Sequence, residues 1–196
     1  VVALSEERYA AIIDEAIKLF QKKNYHGTSM QDIAEAVGMY RGSLYHYINS
    51  KEEILYRIVE RALSEGMAAL LKIQKEDCPP AEKLGRLIEC HIQYSVKHKA
   101  ELAIMLEDAK HLSDEWQKQI RQVQKRYEIV FQDAIKEGIQ KGEFKDLDVK
   151  IVNNAIFGMT NWMYRWYNVD GKLSYKEITS IFLELILRGL LKKEER

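Results

Sequence analysis

Apolar residues recur at helical spacing along almost the whole chain. Ile12, Ala16, Leu19 and Phe20 share one stripe, with Asp14, Glu15, Lys18 and Lys22 off it, which predicts an amphipathic helix stopping near Asn24 and Gly27. Thr28-Ser29-Met30-Gln31 fits a capping box in which the Thr28 hydroxyl and the Gln31 amide satisfy free N–H groups. It opens a short second helix that buries Met30, Ile33, Ala34 and Val37, and Gly38 ends that helix in a left-handed turn. A third short helix is predicted from about Tyr40 to Tyr47. Ser50-Lys51-Glu52-Glu53 caps a fourth, from Lys51 to about Lys75, with Ile54, Leu55, Ile58, Val59 and Ala62 inward. Pro79-Pro80 is the clearest break. Beyond it, helices are predicted from about Pro80 to His98, Leu102 to Leu112, Trp116 to about Gln140, Asp148 to about Asn168, and Ser174 to about Lys193. The reading is an all-α, nine-helix chain of two domains. Residues 1–50 form a helix-turn-helix head, residues 51–196 a larger helical domain, and the helix from Lys51 is the connector.

Composition removes several classes. Among 196 residues only 2 are proline and 10 glycine, where average usage gives about ten and about fourteen. Turn-rich all-β, collagen-like and disordered chains are excluded. Cys78 and Cys90 are twelve apart, which makes no metal motif and reads as two reduced thiols. No basic-then-apolar leader precedes Ser5-Glu6-Glu7-Arg8, and the most apolar segment, Ile178 to Leu191, carries Glu184 and Arg188. A cytoplasmic protein with no membrane partner is expected. There is no P-loop, no Gly-x-Gly-x-x-Gly, no His-Glu-x-x-His and no Cys–His pairing placed for nucleophilic work. His91 and His98 lack a carboxylate or cysteine in register. Neither an enzyme, a cofactor nor a metal is expected.

Charge argues at first against nucleic acid. Lys plus Arg equals Asp plus Glu at 30 each, whereas compact nucleic-acid-binding domains often have a pI above about 9. Residues 1–50 hold five Lys or Arg and six Asp or Glu, so no basic domain is hidden. The local run matters more. From Met39 to Lys51 the chain carries Arg41, His46 and Lys51 and no acid. Two short helices joined near Gly38, after a longer one, have the pattern of a helix-turn-helix. The second of the pair would enter a major groove about 12 Å wide. Tyr40, Arg41, Gly42, Ser43, Tyr45, His46 and Tyr47 suit that task, with Leu44 and Ile48 as anchors. Arg41 could bond guanine or a phosphate, and Lys51 adds a phosphate contact at the N-terminus of the fourth helix. Taken as a pattern alone, Tyr45 and Tyr47 could equally be packing residues, since short helix pairs occur in many all-α proteins.

The run Ala11 to Val59, including TSMQDIAEAVGMYRGSLYHYINSKEEIL, resembles the N-terminal domain of the TetR family of transcriptional regulators. The matching features are Thr28-Ser29, Asp32-Ile33-Ala34, Gly38, Ser43-Leu44-Tyr45 and Ser50-Lys51-Glu52. By that resemblance Arg41, Gly42, Tyr45, His46 and Tyr47 lie at base-reading or groove positions, and Thr28, Ser29, Gln31, Ser43 and Lys51 at phosphate-contacting ones. Ile48 departs from the family's usual phenylalanine, and of the family's basic N-terminal arm Arg8 is the one candidate.

A reader of half-sites needs a dimer. The last two predicted helices are apolar nearly all round, so each is buried on more than one side. One face would pack on its own subunit and the other on a partner, with Ile156, Met159, Met163, Trp166, Ile178, Phe182, Leu185 and Leu190 as the dimer interface; a buried core pair in a monomer is the alternative. The helices between offer an apolar effector pocket from His91, Tyr94, Ser95, Leu102, Met105, Tyr127, Phe131 and Trp162, although each residue taken singly also reads as plain core. The stretch Gly158 to Ile178 resembles TetR-type regulators of fatty-acid and steroid breakdown, which respond to acyl-CoA thioesters. The resemblance implies an acyl chain among the middle helices and CoA phosphates near Arg86, Lys97, Lys99, Arg121, Lys125 and Arg126. The expectation is a homodimeric repressor that binds palindromic double-stranded DNA and is released by a small apolar effector, an acyl-CoA. A helical lipid-binding protein without DNA function and a TetR-type efflux regulator responding to hydrophobic drugs are the alternatives.

Overall fold

The structure, a computed structural model, describes residues 2–192, with side chains from Glu6. The described chain is helical: α1 Val2–Lys23, α2 Met30–Ala36, α3 Arg41–Leu44, α4 Lys51–Gln74, α5 Pro80–Lys97, α6 Lys99–Asp108, α7 Asp114–Gln140, α8 Val149–Asn161, α9 Met163–Trp166 and α10 Tyr175–Leu190. A single 3₁₀ turn, Ala109–His111, follows α6. The predicted eighth helix is broken at Trp162 into α8 and α9, and the last helix ends at Leu190, short of Lys193. No helix among the described residues is long and apolar enough to cross a membrane.

The chain divides into two compact units, and the division cuts across sequence order. The first holds the residues up to Ala62 together with Ala100–Arg121; the second holds Leu63–Lys99 and the residues from Gln122 onward. Residue 50 is therefore not where contacts divide, because the first turns of α4 bury Ile54, Leu55, Ile58 and Val59 in the first unit.

In the first unit, α1 packs on α2 and α2 on α3. Asn24 ends α1 at φ 58, and its side chain accepts from the Gly27 N–H at 2.8 Å. The cap of α2 is Ser29, not Thr28. Ser29 Oγ accepts from Asp32 N–H, and the Asp32 carboxylate accepts from Ser29 N–H at 2.8 Å. Thr28 is buried and donates its hydroxyl to the Asn24 carbonyl at 2.9 Å. Both residue types can cap, and here the buried Thr28 spends its hydroxyl on the α1 end instead. Gly38 has φ 66, so it makes the left-handed turn that other residues adopt at a cost. The core beneath is Ile12, Ala16, Phe20, Ile33, Leu44 and Ile48.

The second unit is built around α5, which packs on α8, α9 and α10. Its core includes Leu70, Leu84, Leu87, Ile88, Phe131, Phe144 and Ile156. Two features hold its ends. Phe144 lies against Gly138 so closely that a Cβ there would overlap its ring. After α10, Lys145 N–H donates to the Leu190 carbonyl at 2.8 Å and Lys192 N–H to the Glu143 carbonyl at 3.1 Å, forming an isolated antiparallel bridge at Phe144 and Leu191.

Candidate functional site

The head offers a polar surface with few internal commitments. Tyr40, the residue before α3, is 88% exposed, and Arg41, Gly42, Tyr45 and His46 are also exposed. Ser43 and Tyr47 are half-buried, while Leu44 and Ile48 are fully buried anchors, as the pattern predicts. Arg41 lies over the Tyr45 ring at 5.9 Å from its centroid, and its Nη2 donates weakly to the Tyr45 hydroxyl at 3.4 Å. The pair sits at i, i+4, so one turn of backbone aims the guanidinium outward. A Cβ on Gly42 would meet nothing within 4 Å, so the backbone there is open to close approach. Gln31 is exposed and bonded to Glu35 at 2.8 Å, and Ser29, also exposed, spends its hydroxyl in the cap.

Two residues expected at phosphate positions are held inside. The buried Thr28 hydroxyl faces Asn24 rather than solvent. Lys51 Nζ donates to the Tyr25 carbonyl at 2.7 Å and the Thr28 carbonyl at 2.8 Å, and lies 4.4 Å from the Tyr25 ring centroid. Burial lowers its pKa from the usual lysine value. The ammonium therefore fastens the start of α4 to the α1–α2 loop. Asp32 is held well below the usual carboxylate range by hydrogen bonds from Lys23 and Ser29.

In the second unit, His91, Tyr94, Tyr127 and Phe131 come together. The Asn161 Oδ1 can only accept, so His91 Nε2 carries the proton and donates at 3.1 Å. His91 Nδ1 then accepts from the Tyr127 hydroxyl at 3.0 Å. Rings of Phe157 at 5.1 Å and Phe131 at 6.1 Å surround the imidazole. Burial lowers the His91 pKa to about 4, so the ring is neutral. Burial pushes the Tyr127 hydroxyl far above its usual value. Tyr94 stacks on His98 at 4.2 Å, and a Cβ at Gly66 in α4 would crowd the rings of both Tyr94 and Tyr127. Ser95 is buried on α5 beside His91 and Tyr94.

Other expected residues fall elsewhere. Leu102 and Met105 belong to the first unit, because α6 as a whole packs there. Trp162 is 58% exposed at the α8–α9 break, with Arg165 over its ring, so it lines no core. Of the dimer face, Ile156, Met163, Ile178 and Leu190 are buried within their own subunit. Leu185 and Trp166 are exposed, and Met159 and Phe182 are half-buried. Helical periodicity marks apolar faces without saying which turns inward. Ile151, Trp162, Trp166, Ile181 and Leu185 are apolar and exposed. Among the cations expected near a CoA phosphate, Arg86 is paired with Glu76, Lys99 Nζ donates to the Tyr167 carbonyl at 2.6 Å, and Arg121 donates to Gln117 at 3.0 Å.

Sequence reasoning missed Asn161 and Phe157, whose signal was an amide and a ring at i, i+4 on an apolar helix. It also missed a groove of about 390 Å³ walled by Trp166, Tyr167, Leu173, Ile178, Ile181 and Phe182. Cys78 and Cys90 are free thiols. Among the described residues no set of three or more His, Cys, Asp or Glu is placed to hold a metal ion.

With this geometry in view, residues 12–58 match the family model described as "Bacterial regulatory proteins, tetR family", and residues 77–190 match "Tetracyclin repressor-like, C-terminal domain". The chain belongs to the TetR family. Members of this family are DNA-binding regulators rather than enzymes. The chain is 28% identical over 188 residues to the HTH-type transcriptional repressor KstR2 of Mycobacterium tuberculosis, covering 95% of this chain and 94% of the relative. It is 28% identical over 189 residues to the fatty acid metabolism regulator protein of Bacillus subtilis, covering 95% and 97%. The crystal structure of AibR in complex with isovaleryl coenzyme A and operator DNA superposes with a TM-score of 0.84 at 28% identity, covering 91% and 97%. The TetR head thus corresponds to α1–α3 and the start of α4, and the tetracyclin-repressor-like domain begins just before α5.

Proposed function

We propose that this TetR-family protein is a cytoplasmic, homodimeric transcriptional repressor that leaves palindromic operator DNA when an acyl-CoA binds its second unit. The observation that carries the DNA part is the exposed, acid-free surface from Tyr40 to His46, with Arg41 aimed outward by Tyr45 and open backbone at Gly42. Arg41, Tyr45 and His46 are the base-reading side chains, Tyr40, Gly42 and Tyr47 line the groove contact, and Ser29, Gln31 and Ser43 are placed for phosphates. Lys51 and Thr28 act through position instead, by fixing the α1–α2 loop. The dimer reading rests on the exposed large apolar side chains of α8 to α10, Ile151, Trp166, Ile181 and Leu185, since exposed apolar side chains in such number call for a partner. The acyl-CoA reading rests on the fatty acid metabolism regulator of Bacillus subtilis and on AibR, solved in complex with isovaleryl coenzyme A. For release to follow, the acyl-CoA must bind the DNA-incompetent conformer more tightly than the DNA-bound one.

The test is a footprint on the promoter region of the protein's own gene at modest salt. Protection of a palindromic site, relieved by an acyl-CoA, is the expected result. Absence of specific protection sinks the repressor reading, and protection indifferent to acyl-CoAs sinks the effector part. Few phosphate-seeking cations are free on the head, so the affinity should fall with a shallow slope as salt rises.

A further inference from the structure

Asn153 on α8 has no exposed surface, and neither its Oδ1 nor its Nδ2 has a hydrogen-bond partner. A side-chain amide carries two donors and an acceptor, and leaving them unbonded in an apolar interior costs the folded chain stability. Three other buried polar side chains of the second unit, Thr160, Thr179 and His91, are bonded. The Thr160 hydroxyl donates to the Ile156 carbonyl at 2.8 Å, the Thr179 hydroxyl to the Tyr175 carbonyl at 2.7 Å, and His91 uses both ring nitrogens. Position adds a second observation. Asn153, Phe157 and Asn161 recur every fourth residue and so form one row on α8. At about 1.5 Å of rise per residue, Asn153 stands about 6 Å along the axis from Phe157 and about 12 Å from Asn161. The Asn161 end of the row is bonded to His91, and the Phe157 ring lies 5.1 Å from that imidazole and 4.9 Å from Phe131. The row leads from the His91 cluster to a bare amide.

We propose that Asn153 is an effector-binding residue and that its partners are the secondary amides repeated along the pantetheine arm of an acyl-CoA. The carbonyl of one amide accepts from Nδ2 and the N–H of the neighbouring amide donates to Oδ1, since the two groups of a single trans amide point in opposite directions. This rests on the reading that the second unit binds an acyl-CoA. A hydrocarbon chain satisfies neither atom, so a free fatty acid lying along the row leaves the amide unpaired and is rejected. Asn153 is then a liability in the free protein and an asset in the complex.

The test replaces Asn153 by its apolar near-isostere. Thermal unfolding of the wild type and Asn153→Leu is followed alone, with isovaleryl-CoA, with short, medium and long straight-chain acyl-CoAs, and with the corresponding free acids. The free variant should melt about 2–4 °C above the wild type. The rise that an acyl-CoA gives the wild type should be lost in the variant, and free acids should raise neither. A variant that melts below the wild type, or does not fold, overturns the proposal, because the amide is then bonded to ordered water in the free protein. An undiminished acyl-CoA response in the variant overturns it while leaving the effector reading intact. A wild type that responds to free acids alone overturns the amide assignment and leaves an apolar effector. A wild type that responds to neither overturns both.

Discussion

The turns of the head and the interior of the second unit handle polar groups differently. Around α2 the turns close locally, with Ser29–Asp32, Asn24–Gly27 and Thr28–Asn24 each within four residues, and Lys51 then ties them to α4. In the second unit His91 reaches Tyr127 and Asn161, 36 and 70 residues away, and Asn153 reaches nothing. The head's short helices are capped by short-range chemistry and tied to α4 by Lys51. The second unit carries interior polar side chains, among them His91, whose bonds join distant helices. Under the proposed function, stability and recognition fall on different residues in the first and on the same residues in the second.

That contrast can be broken at four points. The largest effect should come from Phe131→Ala, which empties a fully buried ring site in the second unit and should cost about 3–5 kcal/mol in denaturant unfolding. A loss below about 1 kcal/mol would mean that the His91 cluster is not packed core. Next is the pH dependence of that cluster. The folded His91 pKa is depressed to about 4 from an unfolded 6.5, so the unfolded chain binds the proton first. Stability is full above about pH 6.5 and falls as pH drops toward 4, by about 3 kcal/mol in all. Urea titrations across that window should show the slope in the wild type and lose it in His91→Gln.

The head should answer differently. Arg41→Ala should weaken operator binding by about 1–3 kcal/mol in a gel shift, with the melting temperature unchanged, since an exposed side chain contributes little to folding. A melting temperature lowered with binding intact would make Arg41 a structural residue. The smallest effect expected is Ser29→Ala, which removes one cap of α2 and should cost about 1 kcal/mol. A loss that Ser29→Thr largely restores keeps the observed cap register.

What could be read from the sequence follows the same line. The α2–α3 junction, Gly38, and Leu44 and Ile48 as anchors were legible because each is decided within a few residues. The error at Thr28 was one residue of register between two competent caps. Lys51 misled for another reason: a lysine at a helix start looks solvent-facing until the fold places two carbonyls beside it. In the second unit, α8 and α10 were legible as apolar on more than one side, and the structure turns Ile156 and Ile178 inward and Ile151 and Leu185 out. Which face is internal depends on the neighbours in space. The same holds for Leu102 and Met105, whose helix joins the first unit although the helix before it, α5, belongs to the second.

The bridge at Phe144 and Leu191 carries a consequence of its own. It fastens the segment after α7 to the segment after α10, so α8, α9 and α10 form a loop of chain tied shut at its base. The 168–174 stretch between α9 and α10 is exposed. A protease cutting there would open the covalent loop without freeing either side, because the bridge holds one fragment and the packing of α10 on α5 holds both. The two pieces should travel together until denatured, and mixing them separately should rebuild the domain.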